Sequence, residues 1–190
     1  DLTEPKRLVQ ELVKRGVPMV NVTVANPYYN PHFNRPFNEP IVGGYASPEH
    51  PLIGVERVVK LTAEIQQSAP GVAIVGSGYS WLRTWMPHVG AGARKAGGTT
   101  FMGAGRMSFA YPDFARDIAQ GRGMDPDKVC VACSACTQIM RDGGRAGCVV
   151  RDAAVYGPIF RLGRMGNRDN LVRLGKSCRQ CRDASCQRGC

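Results

Sequence analysis

All eight cysteines of this 190-residue chain lie in its last third, in two tight groups, and no other feature restricts the fold there as strongly. Cys130, Cys133, Cys136 and Cys148 read C-x2-C-x2-C-x11-C, and Cys178, Cys181, Cys186 and Cys190 read C-x2-C-x4-C-x3-C. Steps of three or four residues let a turning backbone aim several thiolates at one face of a cube. A longer arm then returns the fourth ligand, as in iron–sulfur proteins. The spacing predicts a 4Fe–4S cluster on the first group and a second cluster motif on the other. A fourth cysteine can also serve a neighbouring cluster, so the second group need not close a cube alone.

Two other readings compete. Disulfides need an oxidising compartment. No signal peptide opens the chain and no stretch is long enough to span a membrane, so a cytoplasmic location is expected. Structural zinc also takes four cysteines, but it usually pairs two C-x2-C knuckles across a spacer. Here three cysteines crowd into seven residues. Zinc is the closer rival for the second group.

The formal net charge of +10 is uneven. From Arg141 to Cys190 there are ten Arg and one Lys against four Asp and no Glu. Tyr156 and Phe160 are the only aromatic residues among these arginines, too few for the stacking platform that nucleic acid would need. Arginines beside an anionic cluster or a flavin phosphate fit the bias better.

Leu8, Val9, Leu12 and Val13 recur at helical spacing over Glu4 to Arg15, with Thr3 as N-cap, Pro5 just inside and Gly16 at the end. A buried strand is predicted over Val17 to Val24, and an irregular polar, proline-rich segment over Ala25 to His50. Pro51 to Gln67 is a second helix, Val72 to Val75 a second strand, Ser80 to Ala96 a helix, Thr99 to Met102 a third strand and Tyr111 to Gln120 a helix. This alternation with short apolar strands indicates a parallel α/β sheet or barrel. Gly76-Ser77-Gly78 follows the second strand and Gly103-Ala104-Gly105-Arg106 follows the third. Glycines at the carboxyl ends of neighbouring parallel strands let backbone N–H groups reach an anion, and Arg106 would add the charge.

Two motifs then point to a family. Phe101 to Ala115 reads F-M-G-A-G-R-M-S-F-A-Y-P-D-F-A, and Cys130 to Cys136 reads C-V-A-C-S-A-C. With Cys148 as fourth ligand, the stretch from about Leu8 to Cys148 resembles the C-terminal part of the flavin barrel in the Old Yellow Enzyme group. The closest likeness is to its iron–sulfur branch, which includes 2,4-dienoyl-CoA reductase and trimethylamine dehydrogenase. The resemblance implies the last three strand–helix units of a TIM (β/α)8 barrel over 1–125, an irregular 4Fe–4S region over 126–160, and a linker with the start of a second cysteine-rich motif over 161–190. It implies an FMN whose phosphate is held by Gly76, Ser77, Gly78, Gly103, Gly105 and Arg106, and a cluster on Cys130, Cys133, Cys136 and Cys148 that exchanges electrons with it. The family's H-x-x-R loop corresponds to N-P-Y-Y-N-P-H-F-N-R-P-F, making His32 the proton donor and Arg35 the residue that fixes it or the substrate.

The second cysteine group resembles the C-R-x-C-x4-C-x3-C opening of the iron–sulfur domain in glutamate synthase small subunits, which precedes a pyridine-nucleotide and FAD domain. A complete barrel has eight strand–helix units in about 250 residues, so the expectation is a fragment, or a subunit completed by another polypeptide. The expected function is an FMN- and iron–sulfur-dependent oxidoreductase of the NADH:flavin type. It would move electrons between NAD(P)H and a small organic substrate, an enoyl-type C=C bond among the candidates. A cluster-only electron-transfer module and a zinc-stabilised basic nucleic-acid-binding protein are the alternatives. No nucleic-acid or membrane partner is expected on the first reading, and the sequence carries no signal for or against an oligomer.

Overall fold

The apolar spacing near the start does produce a helix. In the computed structural model, which describes residues 1–166, this is α1 (Thr3–Lys14). Thr3 lies inside the helix and does not cap it. Leu2 holds the N-cap position without a side-chain cap, and the Asp1 carboxylate before it accepts from the Thr3 amide at 2.9 Å and hydroxyl at 2.6 Å. There follow β1 (Met19–Asn21), α2 (Pro31–Asn34), α3 (Pro51–Ser68) and β2 (Ala73–Gly76). After a 3-10 helix over Tyr79–Trp85 come α4 (Met86–Lys95), β3 (Phe101–Met102), α5 (Arg106–Ala110), α6 (Phe114–Ala119), α7 (Ala135–Arg141) and α8 (Ala153–Arg164).

The three strands form one parallel sheet in the order β1-β2-β3, with Met19 opposite Ala73, Asn21 opposite Val75, and Val75 opposite Phe101. Side chains alternate faces along a strand, and here the two faces differ. Ile74 is fully buried and packs with Val72, Val9 of α1 and Ile65 of α3. Burying an aliphatic side chain of this kind contributes about 1.5–3 kcal/mol. On the other face Met19 and Phe101 are each 50% exposed and Asn21 is exposed. The described residues thus make a mixed α/β unit of eight helices and a small parallel sheet, not closed into a barrel. A second core gathers Tyr79, Met86, Met107, Tyr111, Val129 and Cys130.

Three local expectations need correction. The first strand is shorter than Val17 to Val24 and only half-buried, because it is a sheet edge with one face covered. The helix expected over Ser80 to Ala96 breaks at Arg83, whose φ of 53° lies in the left-handed region. Pro87 accounts for the break: it has no N–H to offer the Arg83 carbonyl, and its ring would strike that carbonyl in a continuous helix. The helix expected over Tyr111 to Gln120 shortens to α6 (Phe114–Ala119), with α5 a separate turn that ends at Ala110, because Pro112 keeps Tyr111 out of the helical region (φ −142°, ψ 76°). The segment from Ala25 to His50 is irregular as expected, apart from the single turn of α2.

Candidate metal and cofactor site

The carboxyl ends of β1, β2 and β3 open onto a groove of about 580 Å³. Ser77, Gly78, Gly103, Gly105 and Arg106 line it, together with Arg35. Gly76 does not; it is buried below, where a Cβ would come within 3.2 Å of Thr99 and Tyr79. Two of these glycines are required by the backbone. Gly78 turns the chain at φ +89° against Val58, a conformation that L side chains rarely adopt. Gly103 approaches so closely that a Cβ would sit 2.9 Å from the Gly76 carbonyl oxygen. Its N–H donates to that oxygen at 2.7 Å, so the Gly103 amide is already engaged.

Arg106 reaches from this groove into a second, smaller space. Cys130, Cys133, Cys136 and Cys148 line that space together with Arg106. Arg106 Nη2 donates to the Pro36 carbonyl at 2.6 Å, while Nη1 is buried and has no hydrogen-bond partner among the described residues. Burial pushes the Arg106 pKa down, and the Cys130, Cys136 and Cys133 thiols oppose that shift. Burial likewise pushes the Cys130 thiol up, with Arg106 opposing.

The loop carrying the cysteines is shaped by two non-glycine residues in the left-handed region, Ala132 (φ 56°) and Ser134 (φ 59°). Alternating helical and left-handed residues turn successive amides toward one concavity. The Ala132 amide donates to Cys130 Sγ at 3.4 Å, and the Arg151 amide to Cys148 Sγ at 3.4 Å. Such N–H···S bonds are among the contacts that set a cluster's potential. The Arg151 guanidinium holds the Val129 carbonyl through Nε at 3.1 Å and Nη2 at 3.0 Å.

The fit to a cluster is good in chemistry and tight in space. The four thiols surround a cavity of about 20 Å³, little more than the room one water needs. Among the described residues no three His, Cys, Asp or Glu side chains converge closely enough to hold a single metal ion. A cluster would therefore seat with the loop relaxing outward. Cys178, Cys181, Cys186 and Cys190 lie outside the described residues.

The loop between β1 and α3 packs on the cysteine loop. Asn38 donates its amide to the Ala132 carbonyl at 3.0 Å and accepts from Trp81 Nε1 at 2.8 Å. Arg35 Nη1 donates to Thr137 Oγ1 at 2.7 Å and Ser134 Oγ at 3.3 Å. Burial and the neighbouring Arg106 charge bring the Arg35 pKa down to about 10. His32 is 6% exposed, lines neither groove beside Arg35, and shares a hydrogen bond of 2.6 Å between Nδ1 and the Tyr45 hydroxyl. The structure thus gathers Arg35, Arg106, the four cysteines and the strand-end glycines, and leaves His32 one side chain away. Ser134, Thr137, Asn38 and Trp81 were not singled out by the sequence, since their roles depend on contacts between distant segments.

Comparison with protein-family models, with curated proteins and with solved structures gave no match. No helix among the described residues is long and apolar enough to cross a membrane.

Proposed function

We propose that the chain is part of an FMN- and iron–sulfur-dependent oxidoreductase, with its three strands forming the last units of a flavin barrel. The observation that carries this reading is the position of Arg106, which lines both the strand-end groove and the four-thiol cavity and keeps one buried donor unpaired. The bare sheet face also supports it, because a barrel strand covers one face with helices and turns the other to the interior.

On this reading Arg106, Ser77 and Gly78 hold the FMN phosphate, with Gly103 and Gly105 giving it room and Gly76 packing the floor beneath. Cys130, Cys133, Cys136 and Cys148 hold a 4Fe–4S cluster. Bound flavin would exchange a hydride with a nicotinamide or organic substrate and release electrons singly to the cluster. The Ala132 and Arg151 amides stabilise negative charge on the sulfurs, and Arg35 and Arg106 add cationic charge from the groove side. His32 supplies a proton through Tyr45, which faces the neighbouring groove.

Zinc is the competing occupant of the four thiols. Tetrahedral Zn–S bonds of about 2.3 Å bring all four sulfurs to about 4 Å of one another, whereas a cube spreads them over its corners. Three cysteines within seven residues, Cys130 to Cys136, support the cube. Anaerobic purification followed by iron, acid-labile sulfide and zinc analysis tests the point. Close to four irons lost in Cys133→Ser, relative to the native chain, is the expected result. Stoichiometric zinc with no labile sulfide would overturn the cluster, and flavin bands in the visible spectrum of the completed barrel test the FMN assignment.

A further inference from the structure

Three guanidinium groups, Arg35, Arg106 and Arg141, lie close enough that the second and third both disfavour protonation of the first. No carboxylate balances them: among the described residues none of the three is in an ion pair. Arg35 is half-buried, and its Nη1 is bonded only to neutral hydroxyls. A cation withdrawn from water without a counter-charge is costly, so the arrangement calls for anions. Arg106 faces the strand ends, where a phosphate would meet it. Arg141 does not line that groove. It lines a separate groove of about 600 Å³ between the 26–45 loop and α7, which Arg35 also borders.

The walls of this second groove are aromatic. Tyr28, Tyr29, Phe37 and Tyr45 line it, no Asp or Glu does, and Tyr28 and Tyr29 are about four-fifths exposed (80% and 78%). Exposed aromatic rings beside two unpaired guanidinium groups suit a flat apolar body that ends in negative charge. Stacking and apolar burial would hold the body, and planar guanidinium forks match carboxylate and phosphate oxygens. Simple solvation explains an exposed arginine such as Arg141, but not Arg35 half-buried with no acid beside it. A loaded cluster would offset part of the charge on Arg35 and Arg106, so Arg141 is the residue that isolates the groove.

We propose that this groove binds an organic anion, a carboxylate or phosphate monoester on a flat apolar body, with Arg35 and Arg141 holding the charged end and the tyrosines the body. Taking that anion as the oxidoreductase's substrate rests on the flavin reading; the preference for an anion does not. Calorimetric titration of the full chain with 2-naphthoate, 2-naphthyl phosphate and the neutral 2-naphthamide provides the test. At least one anion should bind about ten- to a hundredfold more tightly than the amide, the worth of a charge-assisted hydrogen bond. Which anion is preferred separates a carboxylate ligand from a phosphate ester. Arg141→Gln should remove about tenfold of that preference and leave the amide's affinity unchanged. Because Arg141 is exposed, this variant keeps the fold. Equal binding of anions and amide, or a preference that survives Arg141→Gln, overturns the proposal. If the completed barrel binds no FMN while the Arg141-dependent preference is present, the flavin reading falls and the anion groove stands. If FMN binds and no anion preference appears, the groove alone falls.

Discussion

Arg106 is the side chain through which the two halves of the site meet. One of its terminal nitrogens is fixed by the Pro36 carbonyl, and the other is buried without an acceptor. A buried unpaired donor costs about 1–3 kcal/mol, so an incoming phosphate oxygen would restore a bond that the protein alone does not make. Arg106→Ala is expected to weaken FMN binding by about ten- to a hundredfold in the completed barrel, followed by flavin fluorescence. Unchanged affinity would mean that Arg106 serves only to hold the Pro36 turn. His32 poses a different question, because the family resemblance makes it a proton donor while the fold buries it behind Tyr45. The 2.6 Å bond to the Tyr45 hydroxyl gives it one outlet toward the aromatic groove. If the pair acts as a unit, His32→Ala and Tyr45→Phe should each slow substrate turnover by about 10²-fold, the usual range for a general acid. The double variant should then be no slower than either single one. Rate losses that multiply would assign the two side chains separate tasks, and wild-type rates in both would remove His32 from the chemistry.

At the scale of elements, the cysteine loop is where backbone conformation and chemistry are most tightly linked. Ala132 and Ser134 both stand in the left-handed region, which costs an L-residue about 1–2 kcal/mol. Ala132→Gly removes that cost while keeping the amide bonded to Cys130, so the cluster-free chain should melt about 2–4 °C higher per kcal/mol regained. A lower melting temperature would show that chain entropy added to the unfolded state outweighs the relief. This conformation was not legible in the sequence: C-V-A-C-S-A-C announces the ligands but carries no glycine at the residues that turn. The strands were legible, since β-branched runs at Val72 to Val75 and Thr99 to Met102 sit between Pro-Gly and Gly-rich punctuation. Their ends were not, because strand length follows pairing, and among the described residues β3 has only β2 beside it. The helix breaks at Arg83 and Tyr111 were readable in principle from Pro87 and Pro112, since proline offers no N–H and disfavours the helical region for the residue before it. Arg35 could be singled out from its H-x-x-R spacing, but not its acceptors, which lie 99 and 102 residues further along the chain.

For the molecule as a whole, the sheet's two faces bear on what this chain needs around it. One face is sealed by α1 and α3 over Ile74, and the other leaves Met19 and Phe101 half in solvent. A parallel sheet is ordinarily covered on both faces, and an uncovered apolar edge invites pairing with another chain. On the barrel reading, the bare face becomes interior once the remaining strands close the ring, where branched apolar side chains fill the centre in layers. Met19 distinguishes the open sheet from the closed one. In the 190-residue chain by itself Met19→Lys should behave as a surface change, within about 0.5 kcal/mol of the native stability in urea, and should lessen aggregation. In a chain extended by the further strands that the barrel reading requires, the same lysine would be buried without a partner, and the variant should lose about 3 kcal/mol or more. Should the lysine destabilise the short chain just as strongly, the face is already covered in solution, and the open-sheet account of this protein fails. Should it be tolerated in both, the added strands do not close over this face, and the barrel is not the architecture they complete.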